Sequence, residues 1–219
     1  MPQRWKSRPV FARFYASLAG PGLERAWVSR YRYRLTEGLA GDVLEVGAGP
    51  GTNFAFYPPT VTRLVAIEPE PLLRREAERV AAEAPITVEV IESDAEHIAA
   101  EDDSFDAVVA SLVLCSVQDQ RAALAEIARV LKPGGALRFF EHVRSESARM
   151  RRVQRGVDAT VWPLLNGGCH TGRDTLRAFA DAGFTLADYE RVRFPDTAFP
   201  FPAAEHILGA ALAPDRRAS

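Results

Sequence analysis

The chain has 219 residues, 47% of them hydrophobic, enough to bury the core of one domain. Its formal net charge of −2, from 27 Lys and Arg against 29 Asp and Glu, gives no global field for nucleic acid or an anionic membrane. Only two cysteines occur, Cys115 and Cys169, far apart in sequence and without partners at zinc spacing, so neither a disulfide framework nor a metal site is expected and a reducing cytoplasm fits. There is no apolar signal segment and no run long enough to span a bilayer, so the sequence reads as soluble.

In chain order, the first forty residues carry Trp5, Phe11, Phe14, Tyr15, Trp27, Tyr31 and Tyr33, expected on helices that lie against a sheet as an N-terminal cap (1–40). From residue 41 to 219 the pattern is that of one α/β domain. Apolar runs at Val43–Val46, Arg63–Glu68, Thr87–Glu92, Asp106–Leu112 and Ala136–Phe140 read as strands. They alternate with helical stretches at Thr52–Phe56, Pro71–Ala84 and Asp119–Leu131, as in a parallel sheet covered on both faces. In the last of these, Ala123, Ile127 and Val130 recur at helical spacing, and Lys132-Pro133-Gly134-Gly135 stops the helix. A helical insertion at about 145–175 carries Arg149, Arg151, Arg152 and Arg155, whose basic face reads most simply as solvated. A helix at Asp174–Ala182 and strands at Thr185–Arg193 and Glu205–Leu212 complete the chain.

The informative stretch is VLEVGAGPGTNF, Val43 to Phe54. Its glycines fall at 47, 49 and 51, and Thr52 stands where a dinucleotide-binding turn would place its third glycine. No Gly-Lys-Ser/Thr follows, so the sequence argues against a P-loop as it does against a dinucleotide site. S-adenosylmethionine (SAM) carries no phosphate and asks for something else: backbone brought close to its methionyl and ribose parts, and acidic acceptors for its amines and hydroxyls. Gly47, Gly49 and Gly51 offer the bare backbone. Glu45 is placed to meet the ammonium, Glu68 the ribose diol, and Asp94 the adenine amine. Ala48, Asn53, Pro69, Ala95, Leu112 and Cys115 complete the expected cofactor set.

With the strand FDAVVASLVL and the turn LKPGG added, the chain resembles the class I SAM-dependent methyltransferases. It is most similar to the methyltransferase-like family that includes the thiol S-methyltransferases of animal microsomes, through GTNFAFYPP, LVLCSVQDQ, FEHV, the Gly168-Cys169 pair and HILG. The resemblance implies a Rossmann-like, seven-stranded, mostly parallel sheet with an antiparallel last strand, SAM over the C-terminal ends of the first strands, and a small-molecule acceptor, with a thiol one plausible choice. The charged and aromatic segment 1–34 departs from the hydrophobic anchor of the animal proteins, so membrane attachment is not carried over, and substrate choice is left open because that segment would border the acceptor pocket. A monomer or homodimer is expected.

Methyl transfer needs an aligned acceptor lone pair more than covalent help from the protein. A thiol, with a pKa of about 8.5, needs only modest activation, whereas an alcohol needs a committed base. Of four histidines, His142 at the end of the fifth strand and His170 in the loop NGGCHTGRD are the candidates for acid/base or acceptor-orienting work. Cys115 is expected to line the pocket beside Ser116 and Val117, and Cys169 to be either a packing residue of its loop or a pocket thiol, with packing favoured. Oxygen or nitrogen acceptors, and a SAM-binding subunit without catalysis, are the alternative readings.

Overall fold

The computed structural model describes residues 7–14, 28–160, 162–194 and 201–214, so the expectations for Trp5, Tyr15 and Trp27 lie outside the described residues. The apolar runs form β1 (Gly41–Val46), β2 (Val61–Ile67), β3 (Val88–Ile91), β4 (Phe105–Ser111), β5 (Leu131–His142), β6 (Thr185–Arg193) and β7 (Glu205–Leu212). They make one sheet in the order β3-β2-β1-β4-β5-β7-β6. Only β7 runs against its neighbours, pairing antiparallel with both β5 and β6. The order reverses between β1 and β4, and such a switch point opens a crevice beyond the carboxyl ends of the strands.

Two hydrophobic layers sandwich the sheet. On one face, Tyr31 and Leu35 of α2 (Ser29–Thr36) and Ala77 of α3 (Pro71–Ala81) pack on Val43, Leu64 and Val109. On the other, Ala123, Leu124 and Ile127 of α4 (Gln120–Val130) and Phe179 of α7 (Thr175–Asp181) pack on Leu44, Val108 and Phe139. The continuous apolar character of β1 and β4 follows from this, since a strand covered on both faces has no solvent side. Asp119 caps α4 by accepting from the backbone N–H groups of Arg121 and Ala122.

Three elements differ from the sequence expectation. Thr52–Phe56 is not an α-helix; only a 3-10 turn, Phe54–Phe56, forms between Gly51 at φ +82° and the Pro58-Pro59 pair. The insertion breaks into α5 (Ala148–Asp158) and a four-residue α6 (Trp162–Leu165). Strand β5 begins at Leu131, pairing with Phe105 before a register shift, so the Pro133-Gly134-Gly135 turn sits inside the ladder as an irregularity.

The one buried residue of α5 is polar. Gln154 accepts from the Ser145 N–H at 2.9 Å and donates to the carbonyls of Thr171 and Pro202, each at 2.9 Å, tying the insertion to the end of the sheet. Arg149, Arg152 and Arg155 are exposed, as a solvated face requires, while Arg151 folds back on the carbonyls of Ser145 and Glu146. Among the described residues no helix is long and apolar enough to cross a membrane.

At the end of β5 the fully buried Glu141 accepts three consecutive backbone N–H groups from the loop after β4: Val113 and Leu114 at 2.9 Å and Cys115 at 3.1 Å. Removing the carboxylate leaves these donors buried and unpaired, each at a cost of about 1–3 kcal/mol, offset in part by water entering the cavity. Glu141→Ala should therefore lower unfolding free energy by about 2–4 kcal/mol in a urea titration, with Glu141→Gln, which keeps one acceptor oxygen, losing less.

Candidate active site

Beyond the carboxyl ends of β1, β2, β4 and β5 lies a cavity of about 250 Å3. Its floor at the β1 end is the glycine turn. Gly47, Gly49 and Gly51 have φ of +62°, +57° and +82°, the left-handed region that side chains disfavour. The bare Gly47 also answers to the protein itself, because a Cβ there would meet Val113 Cγ2 at 2.6 Å. Gly51 is pressed in the same way against the Phe54 ring.

Glu68, just past β2, lies in the wall and is 5% exposed. Its two carboxylate oxygens accept from the N–H groups of Gly49 and Glu70, each at 2.8 Å. Burial outweighs these bonds and raises its pKa to about 7. A carboxylate has about four lone-pair sites, so roughly two remain for a ligand. Asp94 also lines the cavity, turning its own loop by accepting from the Glu96 N–H at 2.9 Å, with Ala95 beside it.

Glu45 takes a different place. It is 1% exposed and does not line the cavity; it accepts from Asn53 Nδ2 at 2.7 Å and from the Tyr57 hydroxyl at 2.9 Å. Arg32 of α2 donates in turn to the Asn53 side-chain oxygen. Desolvation lifts the Glu45 pKa to about 7. Glu45 and Asn53 thus brace the glycine turn from behind. Ala48 and Gly51 also fall outside the lining, whereas Gly47, Gly49, Pro69, Leu112 and Cys115 are part of it.

The opposite end is built from three loops. Leu112, at φ +60°, turns the chain out of β4 and donates its N–H to the Phe140 carbonyl at 2.7 Å. Glu141 then fixes the next three residues, which sets Cys115 in the cavity wall. The adjacent His142 projects into the same space, because neighbouring residues on a strand point to opposite faces. Its Nδ1 lies 3.5 Å from Cys115 Sγ and 3.5 Å from Cys169 Sγ. The two cysteines, far apart in sequence, meet here and both line the cavity, so Cys169 is a pocket thiol rather than the packing residue favoured from sequence. Their mutual hydrogen bond holds the Cys169 thiol well below its ordinary pKa and pushes the buried Cys115 up. His206, facing His142 across the strand pair with ring centroids 4.3 Å apart, is held neutral by burial, its pKa lowered to about 3.

His170 does not reach the cavity. Its N–H donates to the Cys115 carbonyl at 2.8 Å, and Arg173 beside it donates to the carbonyls of Leu114 and Val117, so these residues latch the two cysteine-bearing loops together.

Segment 1–34 was expected to border the pocket, and Arg8 and Phe11 do line it, but sequence reasoning did not place Trp162 and Glu70 there. Glu70 accepts from the Arg8 N–H at 2.8 Å and the Ser7 hydroxyl, anchoring α1 (Pro9–Phe14) over the cavity. Arg8 donates to the Pro163 carbonyl at 3.1 Å, and the Phe11 ring fills the space that a Cβ on Gly167 would need. The Trp162 indole N–H is buried beside the Cys169 thiol and helps to lower its pKa. The Gly167-Gly168 pair before Cys169, at φ +62° and +91°, is the one local signal of this close approach.

Comparison with known proteins fits this architecture. Residues 44–139 match the family model described as a methyltransferase domain. The chain is 36% identical over 182 residues to the human thiol S-methyltransferase TMT1B, spanning 80% of this chain and 72% of that protein. The chain belongs to the class I SAM-dependent methyltransferase family that includes these enzymes, and its cofactor is SAM. Human TMT1A is 37% identical over 158 residues, an alignment spanning 70% of this chain and 64% of TMT1A, so part of that relative has no counterpart in the match. A demethylmenaquinone methyltransferase of Clavibacter sepedonicus is 35% identical over 122 residues, or 55% of this chain and 48% of that one. In fold, the chain matches the N-methyltransferase NodS of Bradyrhizobium japonicum WM9, solved with S-adenosyl-L-homocysteine, with a TM-score of 0.69, 18% identity and coverage of 96% and 100%.

Gly47→Ala combines a left-handed backbone with a clash on Val113. It should cost about 2–4 kcal/mol of stability, from backbone strain of about 1 kcal/mol and overpacking of about 1–3 kcal/mol, read as a fall in Tm by calorimetry.

Proposed function

We propose that this methyltransferase alkylates the sulfur of a small-molecule thiol. The observation that carries the reading is the chemistry of the cavity: acidic acceptors at one end, a sulfur- and imidazole-lined wall at the other, and apolar surface between them. The thiol S-methyltransferases among its relatives support the same acceptor class.

The residues at the first end suit SAM. Gly47 and Gly49 present backbone where the methionyl portion would lie, the spare lone pairs of Glu68 suit the ribose diol, and Asp94 with Ala95 suits the adenine. SAM supplies an electrophilic methyl group on a sulfonium. The chain supplies position: Leu112 and Val113 separate the two ends, and Phe11 and Trp162 add aromatic walls that narrow the space for the acceptor. His142 and the cysteine pair orient the acceptor sulfur at the far end. A thiol pKa of about 8.5 leaves an appreciable thiolate fraction near neutral pH, so this end needs no strong base. An oxygen acceptor would need one, and the only imidazole lining the cavity among the described residues is His142.

Two outcomes test the reading. Incubation with labelled SAM and matched thiol, phenol, amine and quinol acceptors should label the thiols fastest; label only on oxygen, nitrogen or carbon would remove the thiol assignment and keep the methyltransferase. For the cofactor end, Glu68 accepts hydroxyl donors best when ionised, and burial holds its pKa at about 7. Affinity for S-adenosylhomocysteine, measured by calorimetry, should therefore rise from about pH 6 towards pH 8 and level off above. Glu68→Gln should weaken binding by about 1–3 kcal/mol and flatten that slope.

A further inference from the structure

The Cys115, His142 and Cys169 cluster has a geometry that packing alone does not require. Zinc bonds of ~2.3 Å to sulfur and ~2.05 Å to nitrogen, at a tetrahedral angle, place sulfur and nitrogen ~3.6 Å apart. The structure holds His142 Nδ1 at 3.5 Å from both sulfurs. All three donor atoms lie within 4.8 Å of one another, against the ~3.8 Å edge that two thiolates on one zinc would share. They come from three separate elements: the loop after β4, the end of β5, and the loop after α6.

Each donor is fixed from outside the cluster. The Cys115 backbone is held by Glu141. His142 lies in register with His206 on β7. The Cys169 N–H donates to the Asn166 carbonyl at 2.9 Å, and the His170 N–H ties the two cysteine loops together. Donors held by their own supports need little reorganisation to take up an ion. Two sulfurs and an imidazole form a soft set that selects zinc-class cations over magnesium or calcium. All three residues also face the cavity, so three protein ligands leave the fourth tetrahedral position open to it, the arrangement of catalytic rather than structural zinc.

We propose that Cys115 Sγ, Cys169 Sγ and His142 Nδ1 bind one zinc-class divalent cation, whose fourth position takes the acceptor thiol. The second half of this inference rests on the thiol reading above; the cation site itself does not. Cation binding replaces the S–H bonds of Cys115 and Cys169 by sulfur–metal bonds, and acceptor binding replaces the acceptor's S–H bond by a third as water leaves the fourth position, each displaced proton passing to solvent. The acceptor is then held as a thiolate at a fixed point of the wall, so a largely apolar cavity presents a charged nucleophile without a committed base.

The test uses the full chain, reduced with a phosphine, stripped by chelator and titrated with Co2+ as a spectroscopic stand-in for zinc. One equivalent should bind, with the strong visible bands of tetrahedral cobalt and a near-ultraviolet thiolate-to-cobalt band. Cys115→Ser, Cys169→Ser and His142→Ala should each lose that spectrum, whereas His170→Ala, adjacent to Cys169 but outside the donor set, should keep it. Adding a small thiol should shift the visible bands, and the alcohol of the same shape should not. Failure of the reduced wild-type chain to bind cobalt or zinc stoichiometrically overturns the proposal, as does cobalt binding that survives Cys169→Ser. A Cys115–Cys169 disulfide in the isolated protein, with no metal uptake after reduction, overturns it in favour of a redox pair. Thiol methylation at full rate by protein shown to be metal-free by elemental analysis overturns it and leaves the thiol reading standing. A tetrahedral cobalt site that no thiol perturbs, with methyl transfer confined to other acceptors, supports the cation site and removes the thiol from it.

Discussion

A single buried carboxylate organises the cysteine- and histidine-lined side of the cavity. Glu141 has no solvent to stabilise its charge, and burial lifts its pKa to about 7 despite three backbone N–H donors. Those donors are the consecutive amides of residues 113–115, so the loop leaving β4 is wrapped around one side chain of the neighbouring strand. The consequence reaches in two directions. Val113 is pressed against Gly47, which ties the acceptor loop to the glycine turn, and Cys115 is set into the cavity wall. Because strand residues alternate in direction, anchoring Glu141 inward also commits His142 to the cavity.

The glycine turn is braced by a comparable device. Glu45 is the partner of Asn53 and Tyr57 rather than a wall of the cavity, and Arg32 extends that network into α2. The turn is therefore supported by polar groups on its hidden side while its open side keeps only backbone. Two carboxylates from successive strands divide the work: Glu45 fixes the turn, and Glu68 caps the Gly49 amide while facing the cavity. Buried acids in such roles raise the cost of the folded state, and they persist where a fixed geometry is needed.

The cavity is closed by parts remote in sequence. Residues 8–11 and 162–169 meet over it through Arg8, Pro163, Phe11 and Gly167. Glycines at 167 and 168 permit this approach because a Cβ at either would overlap the N-terminal segment. The lid of the cavity is thereby set by two segments remote in sequence, whereas the glycine-turn end is set by the sheet. Such a division lets one fold serve many acceptors by changing its lid.

Much of the fold was legible in the sequence. Parallel strands buried on both faces leave continuous apolar runs, and β1, β2, β4 and β5 lie at or within a few residues of where those runs stand. The glycines at 47, 49 and 51 and the acids at 45 and 68 were visible for the same reason, since a turn with left-handed backbone beside a sheet edge admits few residue types. Local pattern failed where long-range contact decides. Thr52–Phe56 has the composition of a helix, yet packing of Phe54 against Gly51 and the Pro58-Pro59 pair leave it one 3-10 turn. Glu45 looked like a cavity residue because sequence cannot show that its side chain turns behind the glycines to Asn53 and Tyr57. Cys115 and Cys169 stand 54 positions apart, and His142 lies between them, with no spacing that a linear motif would mark. Only the sheet order, with β5 beside β4 and the late loop latched across both, brings their three donor atoms together. The sequence by itself determined the sheet, the glycine turn and the class of cofactor, because these are read from neighbours along the chain; the tertiary structure alone decided the cysteine–histidine end of the cavity, because its parts are neighbours only in space.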